Sequence, residues 1–302
     1  MVNQANQTPN RLISNLEPLL READIAEPRR ELIQLLSCLL QEPVARLLAR
    51  LDDPLTQQQA EAFVQLVQRR ASREPLAYIT GTVNFSGLEL AVGSGVLVPR
   101  PDSEILVEKA VELAQKMQAR PLRLLDTCTG SGAIGIAIAR QLRDSGMPVT
   151  LHLLDQSAEA LAYARRNSAR WCSDLPVQIE QGDLFPAESL IFDLITANPP
   201  YIPDLVLPGL MPEVSRYEPA LALAGGADGL NFYRRILQRA GDYLAPGGWL
   251  LLEHGYDQAE GVSRLIKAES KFREPLQLKD YGGNPRAAAA QLLSTTDVYQ
   301  PC

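Results

Sequence analysis

The sequence is poor in the residues that build metal centres, disulfide frameworks and membrane spans. Its 302 residues include only two histidines and four scattered cysteines, and no C-x-x-C pair occurs, so neither a zinc site nor a disulfide is indicated. No apolar run approaches the roughly 20 residues that span a bilayer, and the polar stretch MVNQANQTPN lacks the apolar core of a signal peptide. We therefore expect a protein of the reducing cytoplasm that binds neither a metal nor a membrane.

Positive charge is also scarce along the chain, which carries a net charge of −7. The first 75 residues contain nine arginines and no lysine against ten acidic residues, a balance of 9 − 10 = −1. Proteins that act on duplex DNA or naked RNA usually present a basic patch. We therefore do not expect a direct nucleic-acid substrate.

Residues 1–75 predict a small helical bundle. Leucines recur there at helical spacing, with Pro28 and Pro43 where helices should begin and Thr56 as a capping residue. Because the segment holds no catalytic constellation, we expect its role to be contact with another molecule. A chain of this length also exceeds the usual size of one domain, so a second domain should follow.

The pattern then changes twice. Residues 76–98 contain short β runs on both sides of Ser86-Gly87, which predicts a β-hairpin linker. In residues 99–302, apolar β-rich runs alternate with helical patterns, as in an α/β domain whose parallel sheet is covered on both faces. Ligands of such sheets bind outside the carboxyl ends of the strands. We expect four residues at these ends to converge on one crevice: Asp126, Asp155, Asp183 and Asn198.

The first strand of this domain leads into a glycine-rich loop that has two interpretations. The segment LLDTCTGSGAIG contains a formal G-x-G-x-x-G from Gly130 to Gly135, and Asp155 follows twenty residues after Gly135. This is the spacing of a dinucleotide fingerprint, as in a NAD-dependent oxidoreductase. The close backbone approach and the helix N-terminus serve S-adenosylmethionine equally well, and an acid in the position of Asp155 can accept both hydroxyls of an adenosine ribose.

Three features favour S-adenosylmethionine over NAD. Asp126 can bond the N–H groups of the loop and lie near a cationic ligand. The fourth strand ends in Asn198-Pro199-Pro200-Tyr201, which suits a flat, neutral NH2 group because prolines donate no N–H and leave their carbonyls free to accept. A hydride-transfer enzyme has no evident use for that motif. Finally, His152 lies inside a strand and is expected to be packed rather than catalytic.

Longer segments surround these motifs: REPLAYITG (73–81), FSGLEL (85–90), VLVPRPDSEILVE (96–108), DTCTGSGAIG (126–135), GDLF (182–185), FDLITANPPYI (192–202), YEPALALAGGADGL (217–230) and APGGWLLLEHGYDQ (245–258). Through them the chain closely resembles the protein-glutamine methyltransferases that modify class-one peptide chain release factors. NPPY alone is shared with methyltransferases that act on exocyclic amines of DNA and RNA bases. The REPLAYITG, VLVPRP and YEPALAL segments are far more particular.

The resemblance implies a Rossmann-like methyltransferase that transfers a methyl group from S-adenosylmethionine to the glutamine side-chain nitrogen in a release factor's Gly-Gly-Gln loop. In that role the Asn198 oxygen and the Pro199 carbonyl accept the two N–H groups, and Pro200 and Tyr201 complete the catalytic set, with Tyr201 packed against the amide. The bundle recognises the release factor, and we expect a monomer. The implied cofactor contacts are Asp126, Cys128, Thr129, Gly130, Ser131, Gly132, Asp155, Asp183, Leu184 and Asn198.

Several points leave alternatives open. A nucleic-acid amine methyltransferase with the same NPPY pocket is the main alternative, and an oxidoreductase is a remote one. Cys128 stands where many relatives carry glycine, so it must avoid positive φ or bear strain. Leu184 stands where some relatives have an aromatic beside the adenine, so stacking there should be weaker. Arg100 either reaches a carboxylate of the cofactor or substrate loop or pairs with Glu104, and no residue stands out as a general base.

Overall fold

The computed structural model describes residues 7–117 and 121–294, which form two compact units. The division falls after Thr82, and Met211–Tyr217 returns to the first unit. In chain order the helices are α1 (Pro9–Glu22), α2 (Pro28–Leu40), α3 (Val44–Leu48), α4 (Gln57–Ala71), α5 (Leu76–Thr80), α6 (Glu104–Lys116), α7 (Ala133–Asp144), α8 (Ala158–Trp171), α9 (Pro212–Tyr217), α10 (Asn231–Tyr243) and α11 (Ala259–Ala268). The strands are β1 (Thr82–Phe85), β2 (Leu88–Ala91), β3 (Leu122–Thr127), β4 (Val149–Asp155), β5 (Val177–Gln181), β6 (Phe192–Ala197), β7 (Leu244–Glu253), β8 (Leu276–Lys279) and β9 (Pro285–Gln291).

The first unit contains the predicted helical bundle. Thr8 caps α1 by accepting a hydrogen bond from the N–H of Arg11, and Thr56 and Gln59 form the predicted capping box at the start of α4. These caps satisfy N–H groups that the first helical turn leaves without partners. The leucine pattern supplies most of the fully buried core: Ile13, Leu20, Leu32, Leu35, Leu36, Leu47, Phe63 and Val67.

The structure places the end of this unit later than the sequence pattern does. Residues Leu76–Thr80, predicted as the start of a β linker, form helix α5, and Gly81 ends that helix with a left-handed φ of 77°. Leu76 and Ile79 pack against the core of the bundle. These apolar contacts hold α5 in the first unit, so the predicted boundary at residue 75 is too early.

The predicted hairpin begins only at β1. Its two strands are joined by Ser86 and Gly87, whose φ angles are 47° and 75°. A two-residue turn with both central residues at positive φ matches the right-handed twist of the flanking strands. The turn predicted at Ser86-Gly87 is therefore confirmed.

The second unit is built on a seven-stranded sheet of order β5-β4-β3-β6-β7-β9-β8, and its first five strands are parallel. Successive residues of β3 point to opposite faces. Leu124 packs in the core shared with α6 and α7, whereas Leu125 packs in the core shared with α10 and α11. The α/β fold predicted from the alternating pattern is confirmed, and it brings the carboxyl ends of β3, β4, β5 and β6 to one edge.

The last two strands were not predicted, and they make the sheet mixed. β9 pairs antiparallel with β7, and β8 pairs antiparallel with β9. Four consecutive alanines of β9, Ala287 to Ala290, are fully buried. Alanine has low strand propensity, and an unbroken alanine run has no alternation, so only the neighbouring strand determines that this segment is extended.

Within the described ranges, no helix combines the length and apolar character of a membrane span. The same ranges hold no cluster of three histidine, cysteine or acidic side chains that could bind a metal ion. Cys128 is partly buried and Cys172 is buried. The fourth cysteine of the sequence, Cys302, lies outside the described residues.

Candidate active site

One pocket opens at the carboxyl edge of the parallel strands. Its empty volume is about 920 Å³ with the solvent-open part included, which is sufficient for a ligand of nucleoside size or larger. Of the residues predicted to contact a cofactor, these line it: Cys128, Thr129, Gly130, Ser131, Asp155, Asp183, Leu184 and Asn198. Gly132 and Asp126 do not.

The Asp126 side chain does not face the pocket and instead forms hydrogen bonds that hold the glycine loop in place. The side chain is 1% exposed and accepts hydrogen bonds from the Thr129 hydroxyl, the Gly135 N–H (3.1 Å) and the Thr196 hydroxyl (2.7 Å). Burial raises the pKa of this carboxyl to about 6, although the three hydrogen bonds oppose the shift. The prediction that four strand-end residues meet in the crevice is therefore wrong for Asp126, because these three donors already surround its oxygens.

The backbone of the loop explains its small residues. Gly130 has a φ of 56° and Gly132 a φ of 83°, both in the left-handed region that favours glycine. A Cβ on Gly135 would lie 2.8 Å from Cβ of Asp126, so only glycine lets α7 begin this close to β3. The sequence left two alternatives for Cys128, which had to avoid a positive φ or bear backbone strain. Its φ is 54°, so it bears the strain.

Asp155, at the end of β4, lines the pocket and anchors two backbone segments. One oxygen accepts from the Gly130 N–H at 2.8 Å and the other from the Ser157 N–H at 2.9 Å. Burial raises the pKa of Asp155, and these backbone donors oppose the rise. Each carboxylate oxygen can accept a second hydrogen bond, so the side chain still has acceptor capacity towards the pocket.

Asp183 and Leu184, which follow β5, line the pocket together with residues to which the sequence analysis assigned no role. Leu184 is 5% exposed with a φ of 66°, and its carbonyl accepts from the Thr127 hydroxyl at 2.6 Å. Asp183 pairs with Arg235 on α10, whose guanidinium lies 5.4 Å over the ring of Phe232. Phe232 and Leu221 also line the pocket; Leu221 lies in the YEPALALAGGADGL segment, whereas Phe232 lies just outside it.

The NPPY segment follows β6 directly. Asn198 and Pro200 line the pocket, whereas Pro199 and Tyr201 do not. Burial raises the pKa of the Tyr201 hydroxyl to about 12. The Tyr201 carbonyl accepts from the Gln258 side chain at 2.9 Å, so the backbone here is already held by a neighbouring loop. Tyr201 packs in the core beside α10, which explains its distance from the pocket surface.

A second loop holds the NPPY segment from the other side. The Ile202 N–H donates to the Leu223 carbonyl at 3.0 Å, and the Gly225 N–H donates to the Ile202 carbonyl at 2.8 Å. A Cβ on Gly225 would lie 2.7 Å from Cα of Tyr201. Backbone cannot move aside as a flexible side chain can, so glycine is required at this crossing.

Replacing Gly225 with alanine should therefore displace the NPPY segment. We expect about a 100-fold lower turnover number, because an ångström of misplacement can cost that much in rate, with little change in cofactor affinity. Gly209→Ala is the matched control, since a Cβ on Gly209 meets nothing within 4 Å. Turnover assays and calorimetry with S-adenosylhomocysteine test this, and an unimpaired Gly225→Ala enzyme would contradict it.

Arg100 has a partner that neither sequence interpretation included. Its guanidinium pairs with Glu218 at 2.6 Å, and the Glu218 side chain is 1% exposed. Burial raises the pKa of Glu218, and the charge of Arg100 opposes that rise. The carboxylate of Glu104 instead accepts from the Ser86 N–H at 2.8 Å. The predicted Arg100–Glu104 pair is therefore wrong.

His152 is a packed residue, as its place inside a strand predicts. The side chain is buried, its Nε2 lies 3.0 Å from a carboxylate oxygen of Glu180, and its ring meets Phe192 edge-on. Burial lowers the pKa of the imidazole. His152 is not among the residues that line the pocket.

The pocket residues fit S-adenosylmethionine. The Ser131 hydroxyl lines the pocket, is buried, and lacks a hydrogen-bond partner among the described residues, so an acceptor in the pocket would satisfy it. The loop N–H groups and the N-terminus of α7 favour an anionic group such as a carboxylate. The carboxylate of Asp155 suits ribose hydroxyls, and Asp183 and Leu184 line the same pocket.

Comparison with known proteins identifies the family of the chain. Sequence profiles of the PrmC N-terminal domain and of the methyltransferase small domain match residues 11–81 and 103–207. The release factor glutamine methyltransferase of Geobacter sulfurreducens is 44% identical over 90% of this chain and 93% of its own length. The enzymes of the same name from Moorella thermoacetica and Yersinia pestis are each 40% identical, over 90% and 87% of this chain and 94% and 92% of their own lengths.

Among solved structures, the hMettl16 catalytic domain in complex with hairpin 6 of the MAT2A 3'UTR aligns with a TM-score of 0.53 at 15% identity. The alignment covers 82% of this chain and 85% of that one, and at this identity it shows a shared fold alone. The assignment to a family therefore rests on the sequence relatives, because their alignments with this chain cover nearly the whole length of both proteins. The chain is an S-adenosylmethionine-dependent methyltransferase, and it belongs to the release factor glutamine methyltransferase family.

Proposed function

We propose that the chain transfers a methyl group from S-adenosylmethionine to the side-chain amide nitrogen of the glutamine in the Gly-Gly-Gln loop of class-one release factors. The observation that carries the proposal is the position of Asn198, which lines the same pocket as the Gly130 loop and Asp155. An acceptor for an NH2 group therefore lies beside the residues that suit the cofactor. The names of the relatives support the choice of a release factor as substrate.

When bound, S-adenosylmethionine supplies an electrophilic methyl group. The protein has to present a weak nucleophile, since the lone pair of an amide nitrogen is delocalised into its carbonyl. The Asn198 oxygen would accept one N–H group, since Asn198 lines the pocket. We propose that the carbonyl of Pro199, which follows Asn198 but does not itself line the pocket, accepts the other. Both bonds would direct the lone pair towards the methyl group and stabilise positive charge that develops on nitrogen. Tyr201 does not line the pocket and packs beside α10, so we do not assign it a contact with the substrate amide.

The surplus proton has no dedicated acceptor among the described residues that line the pocket. The free acceptor capacity of Asp155 is proposed to bind the ribose hydroxyls of the cofactor, and Asp183 pairs with Arg235. Burial raises the pKa of the Cys128 thiol well above its usual value, so the thiolate is disfavoured. We propose that the proton leaves to water after transfer and that positioning accounts for most of the rate.

The decisive assay follows labelled methyl from S-adenosylmethionine into unmethylated release factor. We expect label on the loop glutamine, located by mass spectrometry of the tryptic peptide, and none when that glutamine is changed to asparagine. DNA and protein-free RNA serve as competing substrates in the same assay. Incorporation into either nucleic acid at a rate that matches the release factor would overturn the proposal in favour of a nucleic-acid amine methyltransferase.

Asp155→Ala should weaken binding of S-adenosylhomocysteine by roughly 1–3 kcal/mol, the usual cost of leaving ligand polar groups unpaired. Loss of the Gly130 N–H acceptor would also loosen the loop. Asp174→Ala is the control, because Asp174 is half-exposed and pairs with Arg143 away from the pocket. Calorimetry should show no binding of NAD to the wild-type protein, and tight NAD binding would support the oxidoreductase alternative.

The first unit is proposed to recognise the body of the release factor. Val44 and Leu48 lie one helical turn apart on α3 and are 39% and 48% exposed, which leaves an apolar pair at the surface of the bundle. Changing both to serine should lower transfer to intact release factor but not to a short peptide that contains the Gly-Gly-Gln loop. An equal loss of methyl transfer to intact release factor and to the peptide would contradict the proposal that the first unit recognises the body of the release factor.

We further propose that the chain acts as a monomer in the cytoplasm. A substrate that acts in translation termination is found in the cytoplasm. Sedimentation at working concentration tests the first point, and fractionation of cells tests the second.

A further inference from the structure

A buried acid lies directly behind the NPPY segment. Glu253 is the last residue of β7, the strand that pairs with β6, and it is 1% exposed. The parallel register matches Ala197 with Leu252, so the next residues along the two strands are Asn198 and Glu253. A buried carboxyl is costly without partners, and no step of the mechanism described above uses it.

The partners of this carboxyl include the Asn198 side chain. A hydrogen bond with Asn198 lowers the pKa of Glu253. A carboxylate can only accept, so Asn198 must contribute its NH2 group to this bond. The Oε2 atom of Glu253 and the nearby hydroxyl of Ser103 both lack a well-formed hydrogen bond among the described residues, although Ser103 lies close enough to lower the pKa of Glu253.

This contact determines which end of the Asn198 amide faces the substrate. An asparagine amide can present either oxygen or nitrogen, and only the oxygen can accept from an NH2 group. We infer that Glu253 is a positioning residue for methyl transfer: it binds the NH2 group of Asn198 and thereby turns the Asn198 oxygen towards the substrate amide. The inference rests on the proposed function, because Asn198 is given its role there.

The charged and titratable groups around Glu253 come from several elements. Arg286 on β9 attracts its charge, Asp102 before α6 repels it, and Tyr201 and Tyr233 approach from the NPPY segment and α10. The Tyr233 hydroxyl donates to the backbone carbonyl of Glu253 at 2.8 Å. Burial is the largest influence and raises the pKa of the carboxyl to about 7.

The protonation state of Glu253 therefore affects its role. Above about pH 7 the carboxylate accepts from the Asn198 NH2 group and holds the productive orientation. Below that pH the carboxylic acid gains an O–H donor, which competes for the Asn198 oxygen. Turnover at saturating concentrations of both substrates should accordingly fall as the pH drops through about 7.

Two variants of Glu253 separate positioning from simple structural support. Glu253→Gln keeps an oxygen that can accept from Asn198 but cannot titrate, so it should retain turnover within about tenfold and lose the pH dependence. Glu253→Leu removes the acceptor and should lower the turnover number by about 100-fold with the KM for release factor little changed. Asp193→Asn is the control, since Asp193 is a buried acid near the start of β6 that bonds Arg123.

An NMR measurement tests the contact without relying on activity. The side-chain NH2 resonances of Asn198, identified by their loss in Asn198→Ala, should shift with pH around a midpoint near 7 in the wild type. They should be insensitive to pH in Glu253→Gln, while Asp193→Asn should match the wild type. If the wild type transfers no methyl to release factor, the proposed function fails, and these resonances still decide whether Glu253 orients Asn198.

The inference is overturned by any of three results. Asn198 resonances that respond neither to pH nor to Glu253 substitution would exclude the contact. A folded Glu253→Leu enzyme with wild-type turnover would exclude the positioning role. Equal losses in Glu253→Gln and Glu253→Leu, with the wild-type pH profile retained in Glu253→Gln, would show that the residue only supports the fold.

Discussion

Asn198→Ala should lower the turnover number by about 100- to 1000-fold, the range measured when one preorganised hydrogen-bonding group at a reacting centre is removed. The side chain lines the pocket at the end of β6, where its oxygen is proposed to accept one N–H of the substrate amide. Without it the nitrogen lone pair is no longer directed at the methyl group. Single-turnover assays with labelled cofactor measure the loss directly.

The same variant should bind its ligands almost normally. An interaction made mainly in the transition state lowers turnover and leaves ground-state binding nearly intact, so calorimetry should show little change for S-adenosylhomocysteine or release factor. Asn284→Ala is the control, because the amide of Asn284 bonds to Asp280 and Asn284 does not line the pocket. Loss of binding that fully explains the loss of rate would place Asn198 in recognition instead.

Arg70→Ala should destabilise the protein by about 3–5 kcal/mol, the usual cost of breaking a buried ion pair from one side. Its side chain is only 7% exposed and pairs with Glu31 at 2.5 Å and with Glu213 on α9 at 3.0 Å. Arg73 also pairs with Glu213 at 2.7 Å. Removing Arg70 leaves Glu31, which is 19% exposed, without a cation, and it weakens the attachment of α9 to the bundle.

The neighbouring arginine provides a matched comparison. Arg69 pairs with Glu74 at 2.5 Å but is 46% exposed, so Arg69→Ala should cost less than about 1 kcal/mol. Urea unfolding followed by circular dichroism measures both variants, and equal effects would contradict the argument from burial.

The loss of stability caused by Arg70→Ala should depend on pH in a definite direction. Burial alone would raise the pKa of Glu213, but hydrogen bonds from Arg73 and Arg70 outweigh it, and the pKa is lowered. A carboxyl with a lowered folded pKa contributes stability above its unfolded pKa and loses it as the pH falls through the folded value. The gap between wild type and Arg70→Ala should therefore be largest at neutral pH and shrink in acid.

Elements with strong local patterns could be predicted from the sequence. The capping box at Thr56, the turn at Ser86-Gly87, and the parallel strands with their glycine loop all follow from short-range rules of backbone geometry and hydrophobic spacing. Strand β9 could not be predicted in this way. Its alanines are extended because β7 and β8 offer backbone partners on both sides, and a partner strand leaves no mark on local periodicity.

The sequence by itself determined the α/β fold, the carboxyl edge where the pocket forms, and the residue types that suit an NH2 group there. Those follow from chain-local preferences and from the rule that parallel strands present their ends on one edge. Only the tertiary structure decided that Asp126 is enclosed below the loop, that Arg100 pairs with Glu218, and that Glu253 lies against Asn198. Each of these contacts joins residues that are far apart in the sequence, so local patterns cannot predict it. The contacts form because a buried charge without a partner is energetically costly.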